Sequence, residues 1–469
     1  MSVINTNVGA LSAQKSLSAT SRAQSVSMER LSTGIRINSA KDDAAGSAIV
    51  SRMTARIQGY SVAIRNANDG ISVMQIAEGD LNQISSNLLR IRELAVQSAN
   101  GSNTQTDRDS LNQEAVALSL EVDRLAQVSG FNGFKLLDGT FADKVFQVGS
   151  GNNPNEDQFS VSLSSARANS IGNVKLDAGT LTTTATGSMT INGVTIATSV
   201  AGSDLVSTAS AAGSAIAKAA AINASSSLTG VTAVVNATVA SGSAMTAAAT
   251  TGTVSINGVS TASITTTTDA AQSRKLVVDA INAISARTGV VAADDTTTTG
   301  VKLTAADGRN IVTALTSLTA ASTGIQADGT KVGTYTLKSP SSFVVGGTVT
   351  NSGLTAGTYT IANSGSSVAG ISLASDSGAR AAIDTVDGAL ITINNTRSAA
   401  GAYQSRLTAA INNLEISTLN LSASRSRIND TDYAKETTNL ARSQIITQAA
   451  TAMLAQANQS AQSVLALLK

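Results

Sequence analysis

The chain of 469 residues has no cysteine, no histidine and no tryptophan, and aromatic residues make up only 2% of it. The first two absences exclude thiol nucleophiles, disulfides, imidazole bases and the usual zinc and iron ligand sets. Carboxylate or Ser/Lys catalysis stays open on composition alone. A core with so few large rings has to be built from Ala, Leu, Ile and Val. We therefore predict closely packed long helices, with no catalytic, metal or cofactor site, rather than an enzyme.

A strong charge of either sign is also missing, since the formal net charge is +1. This balance gives no electrostatic reason to expect nucleic acid or a membrane surface as partner. No run of 18 apolar residues occurs, and the first residues lack the basic start and apolar stretch of a secretory signal. If the protein is extracellular, we expect export by a route other than signal-peptide cleavage.

Proline is nearly absent too, and its two positions, Pro154 and Pro340, avoid both ends of the chain. Residues from about 1 to 130 and from about 378 to 469 have helical patterns, whereas residues 177–375 are rich in Thr, Ala, Ser and Gly with short Val/Ile runs. The pattern predicts an α+β multidomain protein. Long antiparallel helices from both chain ends form a coiled coil or bundle, and β-rich α+β domains are inserted between them.

Apolar residues recur at steps of three and four along both helical segments, as on one face of a packed helix. The N-terminal stripe is Ile49, Met53, Ile57, Tyr60, Ile64, Ala67, Ile71, Met74, Ala77, Leu81, Ile84, Leu88, Ile91 and Ala95. The C-terminal stripe includes Ile383, Val386, Leu390, Ile393, Ala400, Leu407, Ile411, Leu414, Leu421 and Ile428. A second N-terminal helix is expected from about Thr106, capped with Asp109, and a strand pair at 145–148 and 159–163.

The outermost segments are less apolar and should be marginal as isolated helices. We expect them to become ordered by packing among copies of the chain. The residues predicted to carry this self-assembly are Ile4, Val8, Leu11, Leu31, Ile446, Met453, Val464 and Leu468. The predicted domains are a terminal coiled coil (1–44 with 430–469), a helical bundle with a β-hairpin (45–176 with 378–429) and a variable region (177–377).

The variable region contains an internal repeat. An Ile-Asn-Gly-Val sequence occurs at 191–194 and at 256–259, and each copy is followed by an Ala-rich helix and a Thr-Gly turn. The Asn-Gly pairs predict tight hairpin turns. Two small α+β modules are therefore expected, at about 186–240 and 252–315, side by side or stacked.

Motifs at both ends resemble those of bacterial flagellin, the subunit of the flagellar filament. They are residues 3–7 (VINTN), 29–34 (ERLSTG), 36–46 (RINSAKDDAAG), 65–72 (RNANDGIS), 92–100 (RELAVQSAN), 424–428 (SRSRI), 430–434 (DTDYA) and 453–459 (MLAQANQ). The resemblance covers roughly residues 1–150 and 380–469. The repeat resembles the Ile-Asn-Gly module of many flagellins and hook-associated proteins.

The resemblance implies a structural subunit that self-polymerises into an extracellular filament for swimming motility. It implies export in unfolded form through the flagellar type III system, which suits the missing signal peptide and cysteines. The implied partners are other copies of the chain, a filament cap protein, hook-filament junction proteins and an export chaperone. The chaperone would bind the last apolar stripe of the sequence, which is Ile446, Ala450, Met453, Ala457, Ala461, Val464 and Leu468. By the same resemblance, Arg90, Leu94 and Glu114 match the contacts of the host Toll-like flagellin receptor; alternatively, Leu94 belongs to the core and the other two form a solvated pair.

Two other functions remain as alternatives at this point: a hook-filament junction protein and a surface-displayed adhesin. The Ile-Asn-Gly repeat is compatible with the junction protein, but the terminal motifs favour the filament subunit. A displayed zinc protease, the enzymatic alternative, is excluded because its motif requires histidine.

Overall fold

The computed structural model of the protein describes residues 6–295 and 300–466. Five long helices dominate the two chain ends: α1 (Val8–Thr33), α2 (Ala44–Ser98), α3 (Gln105–Val128), α11 (Asp376–Asn429) and α12 (Tyr433–Ala466). The shorter helices are α4 (Pro154–Asp157), α5 (Ala215–Asn223), α6 (Ser226–Thr229), α7 (Ala270–Asn282), α8 (Ser285–Thr288), α9 (Ala320–Thr323) and α10 (Ile361–Ser364). Single turns of 3-10 helix lie at Ala201–Ser203, Ala211–Gly213 and Val368–Gly370.

The strands lie between the helical ends, as the fold-class prediction required. They are β1 (Gly130–Phe131), β2 (Phe134–Lys135), β3 (Lys144–Gln147), β4 (Gln158–Val161), β5 (Gly172–Asp177), β6 (Met189–Ile191), β7 (Val194–Thr195), β8 (Thr232–Val235), β9 (Thr238–Ser241) and β10 (Thr251–Ile256). The second half comprises β11 (Val259–Ser260), β12 (Ile264–Thr265), β13 (Val291–Asp295), β14 (Gly300–Ala305), β15 (Ile311–Thr316), β16 (Gly329–Lys331), β17 (Tyr335–Ser339), β18 (Phe343–Gly347), β19 (Gly357–Tyr359) and β20 (Gly365–Ser367). All described strand pairs are antiparallel, and the α+β prediction is confirmed.

The chain divides into two compact units. The first unit contains Met1–Met74, Asp143–Val161 and Ala402–Lys469, and the second contains Gln75–Ala142 and Ser162–Gly401. This division differs from the domain boundaries predicted from the sequence, because α2 and α11 each continue from one unit into the other. Those predicted boundaries stay a prediction.

The first unit contains the hairpin expected near residues 145–163. β3 pairs with β4, and Phe146 lies opposite Phe159. The Phe159 ring makes an edge contact with the Tyr403 ring of α11, with centroids 5.8 Å apart. Gly70 of α2 allows a close approach, since a Cβ atom there would lie 3.0 Å from a methyl group of Leu407 and 3.4 Å from a ring carbon of Phe146. The hairpin therefore packs on the helices through aromatic rings at a site where α2 has no side chain.

The second unit contains the strongest part of the predicted helical stripes. In α2, all of the predicted residues from Ala77 to Ala95 are fully buried, and in α11 the heptad-spaced Val386, Ile393 and Ala400 are buried as well. Arg92 Nε donates to Asp387 Oδ1 at 2.7 Å, which ties α2 to α11. Each large aliphatic side chain that is buried in such a stripe contributes about 1.5–3 kcal/mol to the stability of the fold. Packing of this stripe therefore stabilises the C-terminal part of α2, which includes Gly79.

The third long helix begins two residues earlier than predicted. Its N-cap is Thr104, which forms a reciprocal capping box with Asp107, instead of the expected pair Thr106 and Asp109. Both pairs have the spacing of a capping box, but Thr104 is the one nearer to the turn at 99–102 that ends α2, so the helix begins there. Residues 131–133 make the predicted turn, and Asn132 and Gly133 both have positive φ.

Each copy of the sequence repeat has the same local geometry. Asn192 and Asn257 occupy the left-handed first position of a hairpin turn, with φ of 51° and 50°. The side-chain amide of each Asn donates to a backbone carbonyl oxygen, that of Thr229 in one copy and that of Thr288 in the other. Each of these threonines precedes a Gly at positive φ. The sequence repeat thus corresponds to a repeated set of turns and side-chain hydrogen bonds.

Two separate hydrophobic cores lie behind these repeats, and we name the surrounding structures the first and second modules. The first module comprises β5–β8, α5, α6 and β17–β19, and the second comprises β9–β16 and α7–α9. The first core includes Val174, Met189, Ile191, Ala219, Ile222, Val231, Tyr335, Leu337, Phe343 and Val345. The second includes Ala240, Val254, Ile256, Val277, Ile281, Val290, Val301, Leu303, Ile311 and Ile325.

The first core contains a buried lysine where the second has an apolar side chain. Lys218 on α5 occupies the place of Val277 on α7, five positions before the Asn that ends each helix. Its Nζ donates to the carbonyl oxygens of Asn351 (2.6 Å) and Thr182 (3.0 Å). Burial lowers the pKa of Lys218 from 10.5 to about 8.

This lysine predicts that the first module becomes more stable as the pH rises. Between about pH 8 and 10.5 the unfolded chain binds a proton that the folded chain does not, so raising the pH favours folding. Calorimetry of the full chain should show the first module melting at higher temperature at about pH 10 than at about pH 8. Lys218→Met should remove the increase, whereas Lys275→Met, at an exposed position of α7, should retain it. An unchanged increase in Lys218→Met would contradict the assignment.

Candidate self-assembly surface and receptor-contact residues

The two ends of the chain meet in one helical pair, α1 with α12. The helices run antiparallel: Asn7 Nδ2 donates to the Ala457 carbonyl at 3.0 Å near one end, and Ser27 Oγ donates to Glu436 Oε1 at 2.7 Å near the other. Beyond them, the Thr431 amide donates to the Gly34 carbonyl at 3.0 Å. The order of these contacts fixes the register of the pair.

The seam between α1 and α12 is made mainly of small and polar residues. On α1 the residues turned toward the seam are Ala10, Ala13, Leu17, Thr20, Gln24, Ser27 and Leu31, and on α12 they are Glu436, Leu440, Ser443, Thr447, Ala450, Leu454 and Ala457. Both sets follow the alternating three- and four-residue steps of a coiled coil. Small side chains let the two helices pack closely, but the seam buries little aliphatic surface.

The large aliphatic residues predicted for self-assembly lie mostly outside this seam. Val8, Leu11, Ile446 and Met453 are all exposed, with Leu11 57% and Met453 65% accessible to solvent, whereas Leu31 is half-buried. Ile4 and Leu468 lie outside the described residues, and of Val464 only the position on α12 is described. Three further exposed residues, Val26, Met28 and Ile445, were not among the predicted set. Their apolar character in the sequence is the signal that could have identified them.

The sequence also assigned three receptor-contact residues, and the second unit brings two of them together. Arg90 Nε donates to Glu114 Oε1 at 2.9 Å, and Arg90 also pairs with Glu93. These carboxylates, Glu93 first, raise the pKa of Arg90. The Arg90 and Glu114 side chains are nearly half exposed, so the pair is accessible on α2 and α3.

The third residue, Leu94, is buried in the core of the second unit at 1% exposure. The same two helices also carry exposed apolar side chains that were not predicted from the sequence: Leu89 and Val96 on α2, and Val116 and Leu120 on α3. Leu89 and Val96 are seven residues apart, so they share a helix face, and that spacing could have identified them.

Residues 6–295 and 300–466 contain no cluster of three or more acidic side chains that could hold a metal ion. Over the same part of the chain, none of the helices combines the length and the apolarity that a membrane crossing requires.

A helical pair from both chain ends, with exposed aliphatic faces and an inserted β-rich region, defines the class of self-associating structural subunits. Comparison with known proteins supports this class. Residues 4–142 match the family profile of the bacterial flagellin N-terminal helical region, and residues 383–468 match that of the C-terminal helical region.

Relatives match along the whole chain. B-type flagellin of Pseudomonas aeruginosa is 39% identical over 492 aligned residues, and flagellin D of Vibrio anguillarum is 34% identical over 465; each alignment covers 99% of both chains. Among solved structures, FliC from Burkholderia pseudomallei matches 72% of this chain and 99% of its own at 20% identity, with a TM-score of 0.31. The chain belongs to the bacterial flagellin family.

Family membership confirms several predictions. The chain is a structural subunit of the extracellular flagellar filament, it polymerises with copies of itself, and it is not an enzyme.

Proposed function

We propose that the filament forms through the α1–α12 pair, with Val8, Leu11, Ile446 and Met453 packing against neighbouring subunits and Leu31 supporting the seam of the pair. The observation that carries this proposal is the exposure of those four residues on a pair whose own seam is mainly small and polar. Each such residue would contribute about 1.5–3 kcal/mol when a neighbour covers it. Ile4, Val464 and Leu468 belong to the same proposal on sequence grounds alone.

The proposal can be tested by polymerisation of the purified chain at high salt, followed by electron microscopy. We expect long homopolymers. A junction protein, the second candidate, would assemble only at the hook-filament boundary and would give no long homopolymer, and an adhesin would not require one. Failure to form filaments from any concentration of intact chain would contradict the proposal.

Export and the remaining partners follow from the same role. We infer that the chain travels unfolded through the flagellar type III channel and that a chaperone covers the exposed aliphatic residues of α12 before assembly, because exposed apolar surface promotes aggregation. A cap protein would meet the subunit at the growing end, and junction proteins would meet it at the base. The two modules would then be copies of the Ile-Asn-Gly module, within the predicted variable region 177–377.

We further propose that Arg90 and Glu114 contribute to recognition by the host Toll-like flagellin receptor. The support is their shared exposed ion pair on α2 and α3. Leu94 would contribute by packing beneath the surface, since it is buried.

Replacing Arg90 gives the cleaner test, because Leu94→Ala would also disturb the core. Arg90→Ala should raise the monomer concentration needed for receptor activation by roughly 30-fold, the effect of losing a binding hot spot of about 2 kcal/mol. Arg124→Ala is the matched control, because Arg124 forms a comparable exposed ion pair with Glu121 on α3. Equal activation by both variants would remove Arg90 from the contact.

A further inference from the structure

The second module lies inside a hairpin of the first. β8 and β17 are antiparallel neighbours, and Val235 lies opposite Tyr335 at the end where a turn would connect them. Residues 236–334, which contain the whole second module, take the place of that turn. In the second module, the equivalent strands β13 and β14 are paired up to Asp295 opposite Gly300, so only residues 296–299 separate them. The modules are therefore nested along the chain, and the side-by-side or stacked arrangement in space stays a prediction.

The entry and exit of the inserted segment are held together. The Asn236 amide donates to the Thr334 carbonyl at 2.9 Å, and Asn236 Nδ2 donates to the hydroxyl groups of Thr334 and Thr336 at 3.2 and 3.1 Å. Next to them, Gly308 of the second module has a φ of +77°, and a Cβ atom there would come within 2.2 Å of Val235. The folded second module thus positions the ends of β8 and β17 side by side.

Each module has its own core, and the two cores share no residue. The strands of the second module, β9 to β16, are contiguous in sequence, so this module can complete its pairing without the first. The first module cannot do the same. When the second module is unfolded, β8 and β17 are joined only by a long flexible segment, and closing such a loop has an entropic cost that grows with its length.

We propose that the second module is a folding staple for the first: its folding sets the β8–β17 register, so the first module depends on the second but not the reverse. A second contact, which we name the clasp, also joins the two modules, and its contribution has to be distinguished from that of the staple. Asn310 donates through its side chain to the carbonyls of Ala209 and Ser210, and through its amide to Ser207. Because a coupling free energy is reciprocal, direction alone does not separate the clasp from the staple. Asn310→Ala removes the clasp, and the first module should still depend on the second in this variant.

Matched core positions allow the direction of coupling to be measured. Leu303 and Leu337 occupy equivalent places, opposite Ala292 and Ala233, and both are fully buried. Hydrogen exchange of the full-length monomer, resolved by peptide, reports each module separately. Leu303→Asp, which places an unpaired charge in the second core, should unfold the second module and remove slow exchange from both modules. Leu337→Asp should remove slow exchange from the first module and leave the second protected.

An engineered disulfide between β8 and β17 should restore the folding of the first module when the second is unfolded. Val234 and Thr336 are cross-strand partners, and the chain has no native cysteine to compete. In the Leu303→Asp background, oxidised Val234→Cys/Thr336→Cys should restore slow exchange in the first module, and the reduced form should not. Three results would overturn the proposal: a first module that stays protected in Leu303→Asp, a second module that loses protection in Leu337→Asp, or no rescue by the oxidised disulfide.

Discussion

Leu11→Gln combined with Met453→Gln should prevent filament growth at concentrations where the unmodified chain polymerises, while the monomer keeps its fold. Both side chains project from the α1–α12 pair into solvent and make no part of its seam. Their burial by neighbouring subunits would contribute about 3–6 kcal/mol in total. Since about 1.4 kcal/mol corresponds to a tenfold change, the critical concentration should rise by roughly 100-fold or more. Sedimentation of polymer at several chain concentrations measures it.

The control for this experiment is Leu205→Gln. Leu205 is 91% exposed, but it belongs to the first module and to neither terminal helix. Its replacement should leave the critical concentration unchanged. Deletion of residues 1–35 or 440–469 is a coarser version, which should abolish polymerisation and leave both modules folded. If the double glutamine variant polymerised like the unmodified chain, the exposed aliphatic residues would not be the contacts.

Leu88→Ala should destabilise the monomer by about 3 kcal/mol, whereas Leu89→Ala should change its stability by less than about 0.5 kcal/mol. The two leucines are neighbours on α2, yet Leu88 is fully buried and Leu89 is 54% exposed. The first substitution leaves a cavity in the helical core of the second unit, and the second removes only surface in contact with water. Exchange rates of amides in residues 81–95 would measure both effects in the same region.

This pair separates folding from assembly. Leu89→Ala should leave the monomer intact, and any effect of it should appear only when filaments form. Equal destabilisation by the two substitutions would mean that α2 presents no free apolar face in the monomer.

The buried stripe of α2 could be predicted because the pattern that indicates it is local in the sequence. Residues from Ala77 to Ala95 follow one apolar register, and every predicted member of that register is buried. The terminal pair was harder to predict. On α12, Ala450 and Ala457 belong both to the stripe of Ile446 and Met453 and to the seam with Leu454. A search for hydrophobic residues selects the stripe of Ile446 and Met453, because its residues are larger. The close packing of α1 against α12 instead uses the face with smaller residues.

The nested modules could not be found from periodicity at all. The repeat identifies α5 with α7 and the two Asn-Gly turns, because each copy is short and contiguous. It does not show that β17, a hundred residues beyond β8, completes the first module, since strand pairing at such separation leaves no local pattern. Lys218 did have a signal, because alignment of the two copies places it at the position of a buried valine.

Cryo-electron microscopy of filaments grown from the purified chain would show directly which residues form the subunit contacts. We expect α1 and α12 to remain paired, and Val8, Leu11, Ile446 and Met453 to be buried against neighbouring subunits. A reconstruction in which these four side chains stay in contact with solvent, while subunits associate through other surfaces, would contradict this expectation.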